Sequence, residues 1–120
     1  MRFTPRQHIK HQSDFAKVRS SGQRREGGLF CLNFLCLPER QPPLRRLGVI
    51  ATRRYGNAVA RNRAKRLLRE AFRARQDRLP PSVDIVLIAR GGLRHVTMER
   101  LVEAMETAFG KISTAPARLD

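Results

Sequence analysis

The segment Asn57–Arg75, NAVARNRAKRLLREAFRAR, dictates a long two-faced helix that needs a flat apolar surface beneath it. Wound at about 100° per residue, it places Ala60, Ala64, Leu67, Leu68 and Ala71 on one face. Asn62, Lys65, Arg66, Arg69 and Arg73 fall on the opposite face, and Arg61 and Arg63 flank the boundary. Gly56 stops the preceding segment and Asn57 is a good N-cap. The helical pattern runs to about Asp77, and Pro80-Pro81 bars any continuation. One face packs on a sheet; the other is a row of cations. Surface helices ordinarily mix signs to gain pairs one turn apart, and this one has only Glu70 to offer. Unneutralised like charge destabilises a fold, so the row points to an external polyanion. The alternatives are a solvated face or a helix lying on a membrane. The small alanine-rich apolar face, with no aromatic rim, argues against the membrane.

The surface that receives this helix comes from three apolar stretches. Leu29–Leu37 alternates, with Phe30, Leu32, Phe34 and Cys36 on one side and Cys31, Asn33 and Leu35 on the other. Arg45–Thr52 is a second strand, in which Gly48 marks a bulge or a close approach. Val83–Ala89, VDIVLIA, is apolar enough to be central in a sheet. Ser13 can cap a short helix to Arg19 with Phe15 and Val18 inward, and Ser20–Gly28 is a Gly-rich basic connection with room for one short strand. Pro38–Pro43 is a turn. Thr97 can cap a last helix to about Phe109, whose apolar stripe of Met98, Leu101, Val102, Met105, Ala108 and Phe109 is core. Residues 1–11 are expected to form a loose arm and residues 111–120 a frayed tail, on a single domain spanning 1–120.

Charge is concentrated in one region. Lys and Arg total 25 against 10 Asp and Glu, a formal charge of +15. Residues 40–75 hold 12 of those 25 cations and one acid, Glu70, whereas residues 77–120 hold six of each sign. That is a patch rather than a coating, and within residues 40–75 Lys65 is the only lysine. Arginine offers a planar fork for phosphate and can stack on bases. Arg53 and Arg54 stand just before the helix N-terminus, where backbone amides add to a phosphate site. Cys31 and Cys36 would point to opposite faces of one strand and lack zinc spacing, so they are expected to be reduced thiols of a cytoplasmic protein. No stretch reads as a signal peptide or a membrane span.

The stretch LGVIATRRYGNAVARNRAKRLLREAF, Leu47–Phe72, closely resembles the signature of the protein subunit of bacterial ribonuclease P. Its core is Arg61-Asn62-Arg63, followed by Lys65-Arg66 and Arg69-Glu70, with Arg53-Arg54 and Gly56 at the family's offsets upstream. SDFAKV, Ser13–Val18, and DIVLIARGG, Asp84–Gly92, extend the likeness over most of the chain. The long motif is specific; a bare Arg-Asn-Arg would be weak.

The resemblance implies an α/β (α+β) two-layer sandwich with a mostly antiparallel sheet of about four strands. The basic helix would lie in a left-handed crossover, against the usual hand, with N- and C-terminal helices besides. It implies a partnership with a large catalytic RNA that, with Mg²⁺ held mainly by the RNA, removes the 5′ leader of precursor tRNA. Arg61, Asn62, Arg63, Lys65, Arg66 and Arg69 would contact that RNA, with Asn57 and Arg73 at the ends of the row. Arg53 and Arg54 would serve catalytic RNA or leader. A central cleft for the single-stranded leader would include Phe15, Arg19, Asn33 and Thr52. There Phe15 is a stacking platform, or else simply core.

Relatives often carry an aromatic where Arg19 stands and some carry one near Asn33, so the cleft here is expected to be more polar and cationic. Ala64 replaces a larger aliphatic residue. The ten acids are scattered, and His8, His11 and His95 lie in the arm and a loop, so catalysis is expected to belong to the RNA and the protein to be accessory. No membrane and no obligate protein partner are expected. The rival readings are a ribosomal or RNA-chaperone-like binder, and a DNA-binding protein. The second would call for a helix-turn-helix that this sequence does not present.

Overall fold

The computed structural model of the chain describes residues 2–112. Its helices are α1 (Gln12–Ser21), α2 (Ala58–Arg75) and α3 (Met98–Phe109). Its strands are β1 (Gln23–Arg25), β2 (Phe30–Cys36), β3 (Arg45–Ile50) and β4 (Val83–Ala89). They form one sheet in the order β1-β2-β4-β3. β1–β2 and β2–β4 are antiparallel, and β3–β4 is parallel, with α2 as the crossover between them. The architecture is the expected α+β frame of an open four-stranded sheet with three helices.

Alternation along each strand sorts the core into two faces. Phe30, Leu32, Phe34, Leu47, Ile85 and Leu87 point to one face and pack with Ala64, Leu68, Ala71 and Phe72 of α2 and Leu101, Met105 and Phe109 of α3. Phe72 meets Phe109 edge-on at 5.9 Å and 78°. The opposite face carries Val86, Leu35, Ile50 and Ile88, and there α1 lays down Val18 and Phe15. β4 is buried on both faces, as its unbroken apolar run requires. Asn57 caps α2 through its side-chain oxygen, which accepts from the Ala60 N–H at 2.9 Å, and Thr97 does the same for α3 at 3.1 Å.

Several boundaries differ from the sequence expectation. α1 starts at Gln12 after His11, so Ser13 lies inside the helix, and it runs on to Ser21. α2 stops at Arg75 and a 3₁₀ turn, Gln76–Arg78, takes the chain to the prolines. The expected loose arm is packed over residues 2–11. Gln7 is buried and donates to the Arg45 carbonyl at 2.9 Å and to Oε1 of Gln76 at 2.7 Å. His8 bridges to Leu47 in parallel fashion, Ile9 is buried, and Phe3 sits against Phe72 at 5.3 Å. The physical reason is the open edge of β3. Its free backbone groups need partners, and the segment supplies them while wrapping from one sheet face to the other. At the other end, Ile112 is buried, and the rest of the expected tail, residues 113–120, lies outside the described residues.

Candidate nucleic-acid interface

The strand register builds three rows across the second face. Leu35, Asp84 and Arg46 form one; Asn33, Val86 and Gly48 the next; Cys31, Ile88 and Ile50 the third. α1 crosses these rows. A side chain on Gly48 would meet the Phe15 ring at 2.4 Å, so the close approach expected at this glycine is the seat of that ring. Phe15 and Arg19, one turn apart on α1, line a concavity of ≈ 320 Å³ with Lys10, Gln12 and Ile50. Asn33 is buried in the middle row and is not part of that lining. Thr52 is exposed two residues beyond Ile50. The structure thus brings Phe15 and Arg19 together and keeps Asn33 beneath. Lys10 and Gln12, marked by no local pattern, join the rim. A larger cavity, ≈ 430 Å³, opens beside α3 with Arg100, Lys111 and Glu26 among its lining, and contains none of the predicted site residues.

α2 sits on the other face of the sheet with its cations outward. Asn62, Arg63 and Arg66 are exposed; Arg61, Lys65 and Arg69 are half-buried along its flank. The turn entering the helix is fixed from two sides. Arg61 donates to the Gly56 carbonyl at 2.8 Å. Arg94, from the loop after β4, stacks on the Tyr55 ring at 4.6 Å and donates to the Tyr55 carbonyl. Arg53 and Arg54 therefore project, exposed, from a braced turn. Nothing in the local sequence around Arg94 signals this contact, which joins residues 39 apart. Val59, also missed by periodicity, is 77% exposed on the first turn of α2, beside the cations.

Ion pairing divides the basic residues into two groups. Arg24, Arg40, Arg46, Arg73, Arg75, Arg78, Arg90 and Arg100 each have a carboxylate partner. Arg73 pairs with Glu70, holding that carboxyl below its usual range, and Glu106 of α3 takes both Arg75 and Arg78. The C-terminal end of α2 is thereby neutralised from within. Among the described residues, no carboxylate pairs with Arg53, Arg54, Arg61, Arg63, Lys65, Arg66 or Arg69, nor with Lys10 or Arg19 at the concavity.

His8 is held below its usual range, first by burial and then by the charges of Arg69 and Lys10. Unpaired cations of this kind can bind a polyanion. Among the described residues no helix is long and apolar enough to cross a membrane. Nor do any three carboxylates, histidines or cysteines among those residues converge as a metal-ligand cluster.

The sequence model of the family described as Ribonuclease P matches residues 3–113. The ribonuclease P protein component of Syntrophobacter fumaroxidans is 41% identical over 92 residues, covering 76% of this chain and 75% of that protein. The component from Desulfatibacillum aliphaticivorans is 32% identical over 111 residues, 92% of each. Among solved structures, the ribonuclease P protein of Thermotoga maritima superposes with a TM-score of 0.77 at 26% identity, covering 88% of this chain and 97% of that one. The Staphylococcus aureus protein gives 0.72 at 28% identity, covering 84% and 90%.

Proposed function

The chain belongs to the ribonuclease P protein family, and from that premise we propose that it binds the catalytic RNA through α2 and the 5′ leader of precursor tRNA through the α1 concavity. The observation that carries this reading is the sorting of the cations. Among the described residues, those on the N-terminal part of α2 and its entry turn pair with no carboxylate, whereas Arg75, Arg78 and Arg100 beside α3 do. Phosphates would supply the missing counter-charge. In this reading the RNA holds the Mg²⁺ and performs the cleavage. The protein lowers repulsion between two polyanions, so that less Mg²⁺ is needed. Phe15 offers a ring face to an unpaired base while Arg19 and Lys10 meet its phosphates.

The deciding measurement is cleavage of a precursor tRNA by a bacterial ribonuclease P RNA at low Mg²⁺, with and without the protein. Restored cleavage, with no cleavage by the protein alone, is the expected result. No rescue, and binding to that RNA no tighter than to random RNA of equal length, would send the assignment back to ribosomal RNA.

The cleft half of the proposal has its own test. A methyl group at Gly48 would overlap the half-buried Phe15 ring, which must shift to admit it. Gly48→Ala is expected to cost about 1–3 kcal/mol of stability in urea unfolding. The assembled holoenzyme should then lose about tenfold in affinity for leader-bearing precursor, with mature tRNA unaffected. Equal losses for both substrates would assign Phe15 to the core and not to the leader.

A further inference from the structure

Asp84 is the only carboxylate buried among the described residues. It lies on the α1 side of the sheet, in the row Leu35–Asp84–Arg46. Arg46 addresses it with two parallel bonds, Nε to Oδ1 at 2.9 Å and Nη2 to Oδ2 at 2.7 Å. Arg40, from the loop after β2, adds Nη2 to Oδ1 at 2.7 Å. A buried carboxylate met by a fork and a second guanidinium is a rigid mount. The remaining arm of Arg46, Nη1, reaches off the sheet to Oδ2 of Asp14 at 3.5 Å. Asp14 lies in the first turn of α1 and is the residue before Phe15. Arg46 is also two residues before Gly48, on the same face of β3, and Gly48 seats the Phe15 ring.

We infer that Arg46 is the positioning residue of the α1 concavity. Fixed to the sheet by Asp84, it holds Asp14, and so sets where α1 presents the Phe15 ring and Arg19. This inference rests on the leader reading of the concavity and adds the device that aligns it. The three other charged groups in reach are accounted for: Asp84 and Arg40 form the mount, and Asp14 is the load. Lysine at position 46 would keep the charge but cannot bond Asp84 through a fork and Asp14 with a third arm. The Asp14 link is longer and partly exposed, so it is the weaker joint and the one that can be cut without opening the core.

The test uses Asp14→Asn, Asp14→Glu and Arg46→Lys in the full chain. Two quantities are measured: amide hydrogen exchange of α1 in the free protein, and the holoenzyme's affinity ratio for precursor tRNA with a full leader against a leader cut to one nucleotide. Asp14→Asn is expected to speed exchange in α1 but not in β4, and to lower the affinity ratio about threefold. Asp14→Glu, whose carboxylate can still reach Arg46, should restore both. Arg46→Lys should lower the ratio about tenfold. Affinity for the catalytic RNA should stay as it is, because the cations of α2 lie across the sheet. Unchanged α1 exchange in Asp14→Asn and Arg46→Lys would overturn the positioning role. Faster α1 exchange with an unchanged ratio would instead overturn the leader reading beneath it, and with it any role of Arg46 in substrate choice.

Discussion

Phe72→Ala is expected to remove about 3–5 kcal/mol of folding stability, which is a large part of the roughly 5–15 kcal/mol a domain possesses. Phe72 is fully buried at the point where three pieces of chain meet. Its own helix α2 presents it, Phe109 of α3 packs on it edge-to-face, and Phe3 of the N-terminal segment packs at 5.3 Å and 60°. Truncation leaves a cavity lined by two aromatic rings that cannot both collapse into it. It also frees Phe3, which stacks at 4.3 Å on His8, so the segment along β3 should loosen before the sheet does. Thermal unfolding should show a melting temperature lower by more than about 10 °C. Hydrogen exchange should show residues 3–9 opening first. Saturating catalytic RNA should recover part of the loss if the RNA binds only the folded protein. A change below about 1 kcal/mol would mean that the three pieces do not depend on one another through this ring.

Phe72 also marks where sequence reasoning stopped short. Wound as an ideal helix it falls at the margin of the apolar face, outside the five residues that the winding groups there, although it is the largest side chain that α2 buries. The elements themselves were legible. Asn57 and Thr97 cap as their types suggest, the alternation of β2 sorts its side chains correctly, and the apolar run of β4 lies central. What could not be read was long-range polar pairing. Gln7 and Gln76, 69 residues apart, satisfy each other in the interior, and each looks like an ordinary surface residue in its own context. The N-terminal segment has no apolar period; Phe3 and Ile9 fall six apart among polar and basic neighbours, which is why it was expected to be loose. The cation row was visible as a row, but its internal neutralisation was not. Glu106 reaches Arg75 and Arg78 only because α3 returns alongside α2. Of the residues predicted for the cleft, Phe15 and Arg19 could be placed by their spacing on one helix. The burial of Asn33 follows from α1 lying over its row, a tertiary fact.

That neutralisation makes the RNA-facing prediction selective. Arg63→Glu combined with Arg66→Glu is expected to weaken binding of the catalytic RNA about 100-fold, and to reduce the slope of log affinity against log salt by about 2. Both side chains are exposed and neither pairs with a carboxylate among the described residues, so the melting temperature should hardly move. Two phosphate contacts would then be replaced by two repulsions, and fewer counterions would be released on binding. The matched control is Arg78→Glu combined with Arg100→Glu. It changes net charge by the same amount, but at arginines that already face Glu106 and Glu103. If net charge alone governed binding, the two double variants would weaken it equally. If the unpaired cations of α2 form the interface, the control should lose only a few-fold, through long-range attraction that salt screens. Equal losses with equal salt slopes would remove α2 as the RNA-binding face and leave only a basic protein attracted to any polyanion.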